Sequence, residues 1–228
     1  METVVISLGG SIVVPDNIDI DFIKSFYHLI ASHLEKNKEL RFILVVGGGG
    51  PARKYQNAYR EITGKNNSDA QDWIGIAATR LNAQLIKAVF YNECKDPVVT
   101  DPTEELNFTG KILIAAGWKP GFSTDFDAVV LGERFGAKEI LNLSNIEMLY
   151  SEDPRKNPKA KKISSISWND FISMIGEEWT PGKNVPFDPV AAKKAKELGM
   201  KVILASGRNL ENLSNILDKK EFTGTIIQ

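Results

Sequence analysis

Cysteine is nearly absent: Cys94 is the single one in 228 residues, which excludes an internal disulfide and a cysteine-type zinc site and fits a reducing cytoplasm. Histidine is scarce too. His28 and His33 fall together in one expected surface helix, so nothing points to histidine-based nucleophilic catalysis. Charge of one sign is also missing. A formal net charge of −1 gives no overall field to recruit nucleic acid or an anionic membrane, so partners must be recognised locally. No apolar run approaches the roughly 18 residues of a membrane span, and Met1-Glu2-Thr3 leads into a β-rich run without the basic start of a signal peptide. Neither the Walker spacing nor G-x-G-x-x-G occurs. What remains, 43% hydrophobic and 25% charged residues, is the profile of a globular protein with a sizeable core, as one domain or two intimately packed halves.

The run Phe42 to Val46 is a buried strand ending in Gly47-Gly48-Gly49-Gly50. Pro51 suits the first position of a following helix, placing Arg53 within the first turn. Such a turn exposes backbone N–H groups, glycine removes the Cβ atoms that would hold a ligand away, and the helix start adds partial positive charge. A phosphate or carboxylate is the expected guest, with Arg53 adding a charge-assisted contact.

Other segments repeat the theme. Val4 to Leu8 is a strand ending at Gly9-Gly10-Ser11. Ile20 to Glu35 has helical periodicity with Asp19 as its cap, so the first two strands and this helix form a β-α-β unit, whose ligands gather beyond the carboxyl ends of the strands. Pro51 to Glu61 reads as helix. Asp69 to Phe90 is a long helix with Trp73, Ile76, Ala77, Leu81, Leu85 and Val89 on its apolar face and Asp72 and Arg80 left polar. Pro97 to Val99 and Lys111 to Ala116 read as strands. The second ends in the loop Gly117 to Asp125, where Ser123, Thr124 and Asp125 are more polar groups than the cap of the next helix needs. Glu139 to Leu143 is a further strand, followed by a proline-punctuated basic stretch to Lys162. Trp168 to Ile175 is a short helix. Asp188-Pro189 opens a helix as cap and first residue, with Lys193 in its second turn. Met200 to Ala205 is a strand, Leu210 to Leu217 a helix, and Gly224 to Ile227 a last strand.

Taken together, these motifs resemble the amino acid kinase superfamily, and within it the archaeal-type UMP kinases. The matching words are Gly9-Gly10-Ser11, Gly47 to Arg53, Asp72-Trp73-Ile74-Gly75-Ile76, Thr79-Arg80-Leu81-Asn82-Ala83, Pro120 to Asp125 and Asp188-Pro189-Val190-Ala191-Ala192-Lys193, covering nearly the whole chain. The resemblance implies a three-layer αβα sandwich with a mainly parallel central sheet. Residues 1–143 would be the acceptor half and 144–228 the ATP half. The activity would be transfer of the γ-phosphoryl of ATP to UMP, with Mg²⁺, in a homo-oligomer, a hexamer built partly on the Asp69 to Phe90 helix. It implies that Gly9, Gly10 and Ser11 approach the ATP phosphates, Gly48 the UMP phosphate, and Gly49 and Arg53 the space between. Asp72 would hold the UMP ribose. The loop Gly117, Trp118, Lys119, Pro120, Gly121, Phe122, Ser123, Thr124 would wrap its base and sugar. Asn145, Tyr150 and Asp153 would line the ATP nucleoside. Lys193, Arg53 and Asp125 would be the catalytic set, with Asp125 orienting Lys193 or the water around the metal, and no dedicated metal ligands.

Two places depart from the pattern. Ser7 stands where much of the superfamily has a lysine two residues before the first glycine, and Ser144-Asn145-Ile146-Glu147-Met148-Leu149-Tyr150 lacks the family's Asp-Gly turn. Gly182-Lys183-Asn184-Val185-Pro186-Phe187 also differs from the expected loop. Two alternatives stay open at this point: a kinase of this fold acting on another small phosphate or carboxylate, and a protein that binds nucleotides or oxyanions without turnover.

Overall fold

The structure, a computed structural model, describes residues 1–152, 157–176 and 185–228. Asp153 and Gly182-Lys183-Asn184, singled out in the sequence, lie outside the described residues. In chain order the elements are β1 (Glu2–Leu8), α1 (Gly10–Val13), α2 (Ile20–Lys36), β2 (Leu40–Val46), α3 (Gly49–Thr63), α4 (Ser68–Val89), β3 (Ile112–Ala115), α5 (Thr124–Arg134), β4 (Glu139–Ser144), β5 (Leu149–Tyr150), β6 (Lys162–Ile163), β7 (Ser165–Ile166), α6 (Trp168–Ile175), α7 (Pro189–Glu197), β8 (Lys201–Ser206), α8 (Leu210–Leu217) and β9 (Thr225–Ile227).

Successive side chains leave opposite faces of a strand. In β1, Val5 therefore joins one apolar core and Ile6 and Leu8 the other. The first core is closed by α2, α4 and α8 through Phe26, Ile86 and Leu213. The second is closed by α5, α6 and α7 through Val129, Phe171 and Ala192. This is the expected three-layer αβα sandwich. Its sheet runs β3-β2-β1-β4-β8-β9-β7; the pairs from β3 to β8 are parallel, and β9 is antiparallel to β8. A separate antiparallel pair joins β5 and β6. The order reverses between β1 and β4, so the crevice beyond their carboxyl ends is the topological switch point where ligands of open α/β sheets bind.

Several expectations need correction. The helix expected from Pro51 begins at Gly49, which moves Arg53 from the first turn to the second. Pro51 is tolerated there because first-turn N–H groups have no intrahelical partner to lose. Pro97 to Val99 is not a strand but a single bridge, Val99 to Ala115. On α4, Trp73 and Leu81 are 51% and 70% exposed and Ala77 is exposed too; Ile76 is buried as expected, and Gln71, Ala78, Thr79, Asn82, Ala83 and Ile86 share its face. His33 is buried rather than superficial; its ring bonds the Leu29 carbonyl and faces Asp218 at 3.3 Å. The caps Asp19 and Asp188 hold: their side chains accept from Phe22 N–H and Ala191 N–H.

Candidate active site

At the switch point the turns after β1 and β2 interlock. A Cβ on Gly10 would meet the Gly49 amide nitrogen at 2.2 Å, and one on Gly47 the Gly10 nitrogen at 2.5 Å. Gly49 has φ +63°, and its Cβ would lie 2.3 Å from the Gly10 carbonyl oxygen. The space these glycines clear is thus filled by neighbouring backbone. Their first consequence is that α1 and α3 can start side by side; any cradle for an anion is built from the amides of those helix starts. Asn82 reinforces the junction by donating to the carbonyls of Gly47 and Gly48 at 2.9 and 3.1 Å.

Beneath the turns lies a polar knot around Asp125. Its Oδ1 accepts from Ser7 Oγ at 2.9 Å and from Asn142 Nδ2 at 3.0 Å, and its Oδ2 from the backbone N–H of Asp188 at 3.2 Å. One carboxyl therefore ties β1, β4 and the start of α7 together. Although the residue keeps partial solvent contact, desolvation pushes its carboxyl up to about 6, with Asp188 adding to the rise and the Ser7 hydrogen bond opposing it. Asp188 caps α7 through Ala191 N–H at 2.8 Å, and this sets the helix that carries half-buried Lys193 in its second turn.

Beside the knot opens a cavity of about 640 Å³. It brings together Gly48, Gly49, Arg53, Asp72, Gly117, Phe122, Ser123 and Thr124 from the expected set. The volume lies within the range of about 300–1,000 Å³ usual for small-molecule sites. Arg53 donates to the Pro15 carbonyl at 3.0 Å, which fixes it at the cavity wall. Asp72 accepts from Gly121 N–H at 3.0 Å. Burial raises its carboxyl from the ordinary value, the Gly121 hydrogen bond counteracts this, and Asp69 raises it further. Ser123 caps α5 through Phe126 N–H at 3.3 Å. Trp118, Lys119, Pro120 and Gly121 belong to the adjoining loop and are not among the cavity's lining residues. There Lys119 Nζ sits 3.8 Å from the Trp118 ring centroid, and the Trp118 and Phe122 rings are 4.9 Å apart.

Of the residues expected for ATP, Gly49 and Arg53 line this cavity and the other described ones do not. Gly9, Gly10 and Ser11 follow β1; Asn145 follows β4 and Tyr150 lies on β5. Sequence reasoning missed Gln56, Asn57 and Arg60 on α3, which also line the cavity. Their spacing from Arg53, at i+3, i+4 and i+7, is a polar helical stripe that could have revealed them. Gly75, Ile76 and Thr79 of α4 complete that wall. Among the described residues no group of three or more His, Cys, Asp or Glu is placed to hold a metal ion. A smaller cavity of about 140 Å³, lined by Glu2, His33, Glu139 and Asp218, lies at the opposite edge of the sheet.

The sequence profile of the amino acid kinase family matches residues 2–206. The uridylate kinase of Methanospirillum hungatei JF-1 is 37% identical over 230 residues, which span 100% of this chain and 95% of that protein. The uridylate kinase of Thermoplasma volcanium is 34% identical over 231 residues, spanning 100% and 98%. The crystal structure of uridylate kinase from Archaeoglobus fulgidus superposes with a TM-score of 0.81 at 31% identity, covering 100% of both chains. That of UMP kinase from Bacillus anthracis, at 19% identity and a TM-score of 0.79 over 100% of this chain and 96% of its own, shares the fold. With the profile spanning most of the chain and identity above 30% along its full length, the chain belongs to the amino acid kinase family.

Proposed function

We propose that this protein is a UMP kinase, which transfers the γ-phosphoryl group of ATP to UMP and releases UDP and ADP. The carrying observation is the cavity that gathers Gly48, Arg53, Asp72 and the loop after β3, the positions that the resemblance links to a nucleoside monophosphate. Full-length similarity to uridylate kinases supports the same reading. The acceptor lies over β1, β2 and β3: Gly48 meets its phosphate, Asp72 its ribose, and the 117–124 loop its base and sugar. The donor lies towards β4 and β8, with Gly9, Gly10 and Ser11 on its phosphates and Asn145 and Tyr150 on its nucleoside. In this reading residues 1–143 and 144–228 divide acceptor from donor.

Phosphoryl transfer between two anions asks the protein mainly to align them and to balance charge. Gly49 and Arg53 stand between the phosphates, and Lys193 faces the transferred group from α7. A nucleotide phosphate is already anionic near neutral pH, so no general base is required and the scarcity of histidine is no obstacle. Asp125, engaged by Ser7, Asn142 and the Asp188 amide, positions α7 and hence Lys193. Mg²⁺ carried on the ATP phosphates and water supplies charge neutralisation when bound.

The working form is a homo-oligomer. Trp73 and Leu81 on α4, with Tyr55 and Ile62 on α3, are exposed apolar side chains suited to a neighbouring copy. The protein works in the cytoplasm, consistent with its one cysteine being free and buried; among the described residues no helix is long and apolar enough to cross a membrane. Phosphorus NMR of a mixture of protein, ATP, Mg²⁺ and UMP tests the proposal directly. UDP signals growing with loss of the ATP γ-phosphate support it, and ATP hydrolysis without UDP refutes it.

A further inference from the structure

The loop from Gly117 to Phe122 is gripped by side chains that the reading above leaves without a role. Thr79 Oγ1 accepts from Gly117 N–H at 2.8 Å. Arg80 donates to the Trp118 carbonyl at 3.0 Å and lies 3.5 Å from that of Gly117. From the other side Asp127, completely buried, accepts from Trp118 N–H at 3.2 Å. The amide and the carbonyl of one residue are thus each held by an ionisable side chain.

Asp127 is the unexpected member. It sits on the core face of α5 beside Ala128, Val129 and Leu131, where an aliphatic side chain would pack without the desolvation that a carboxyl incurs. Its Oδ1 has no hydrogen-bond partner among the described residues, so the Trp118 amide is its main polar contact there. Packing does not explain a buried acid at this position; holding Trp118 does. Trp118 in turn packs at a tilt against Phe122, whose ring is 4.6 Å from Phe126 and lines the acceptor cavity.

We propose that Asp127 and Arg80 are positioning residues for the acceptor: by fixing the N–H and the carbonyl of Trp118 they pre-form the loop against which the acceptor base is seated. The proposal rests on assigning this loop to UMP. A loop already in its binding conformation forfeits less entropy on binding, so the pair governs the acceptor KM and leaves the donor KM and kcat nearly untouched.

Steady-state kinetics on Asp127→Leu, Asp127→Asn and Arg80→Met test this, together with hydrogen exchange over residues 117–122. Asp127→Leu and Arg80→Met should each raise the KM for UMP about tenfold, the scale of one lost buried hydrogen bond, with the KM for ATP and kcat within about twofold. Asp127→Asn keeps an oxygen for the Trp118 amide and should rescue most of the effect. Amide exchange in the loop should quicken in Asp127→Leu and Arg80→Met and stay near wild type in Asp127→Asn. A purely structural role would instead lower the active fraction, and so kcat, at unchanged KM; that pattern, or unaltered loop exchange, overturns the proposal. Should Asp127→Leu fail to fold, Arg80→Met, on a half-buried position of α4, decides alone. Wild-type protein that does not phosphorylate UMP removes the acceptor assignment, and the exchange data then judge the loop-holding role by themselves.

Discussion

At Ser7, the β1 position two residues before the first glycine carries a hydroxyl where the family pattern has a lysine, and that hydroxyl is committed to Asp125. In the proposed reaction the transferred group then depends on Lys193 and Arg53 for protein charge. Removing one charged donor at a transition state costs on the order of 10²–10³ in rate, so Lys193→Ala should lower kcat by about that factor while changing either KM little; single-turnover kinetics would show it. In the proposed reaction Asp72 acts on ground-state binding instead. Asp72→Asn should raise the KM for UMP by about tenfold or more, the value of a charged hydrogen bond, with kcat near wild type. Two desolvated acids also make stability depend on pH. Burial, opposed by the Trp118 amide hydrogen bond, pushes Asp127 up to about 8, and Asp125 sits at about 6. Both folded-state values exceed the unfolded one, so the folded protein binds more protons and its stability is greatest in acid relative to these groups, falling as pH rises through about 6 and then about 8. Urea midpoints for Asp127→Asn should accordingly decline less between pH 6 and pH 8 than those of the wild type.

At the scale of elements, the turns after β1 and β2 interlock backbone against backbone. Gly49→Ala combines a left-handed φ of +63° with a Cβ 2.3 Å from the Gly10 oxygen, and should destabilise the fold by about 2 kcal/mol or more, measured by urea unfolding. The importance of these turns is legible in the sequence, because runs of glycine straight after β-rich segments mark places where a side chain would obstruct the backbone. What the glycines avoid is not legible, since it depends on which turns lie side by side. Caps are equally readable: Asp19 and Asp188 need only their own helix. The face of α4 is not. Asn82 and Thr79 turn inward to serve Gly47, Gly48 and Gly117, so polar residues occupy the buried side and hydrophobic periodicity wrongly places Trp73 and Leu81 inside. The same blindness hides Asp127, which looks like one more polar residue near a helix start until β3 and its loop are laid over it.

For the whole molecule, the parallel order β3-β2-β1-β4-β8 puts the carboxyl ends of these strands at one edge, and the reversal between β1 and β4 opens the crevice that the proposed function divides between acceptor and donor. The alternation of strands and helices makes this architecture readable from the sequence, whereas the antiparallel β9 and the place of β7 at the sheet's far edge depend on long-range pairing that no local pattern records. The exposed Leu81 and Trp73 give a prediction at this scale: the wild type should sediment as an oligomer, and Leu81→Glu should shift it to smaller species in sedimentation velocity. The most direct test of UMP as the acceptor is a coupled ADP-release assay of the wild-type protein with ATP and Mg²⁺ across UMP, CMP, acetylglutamate, carbamate and isopentenyl phosphate. The kcat/KM for UMP should stand far above that for every other acceptor; a clear preference for a non-nucleotide acceptor, or ADP release that UMP does not stimulate, would contradict the assignment.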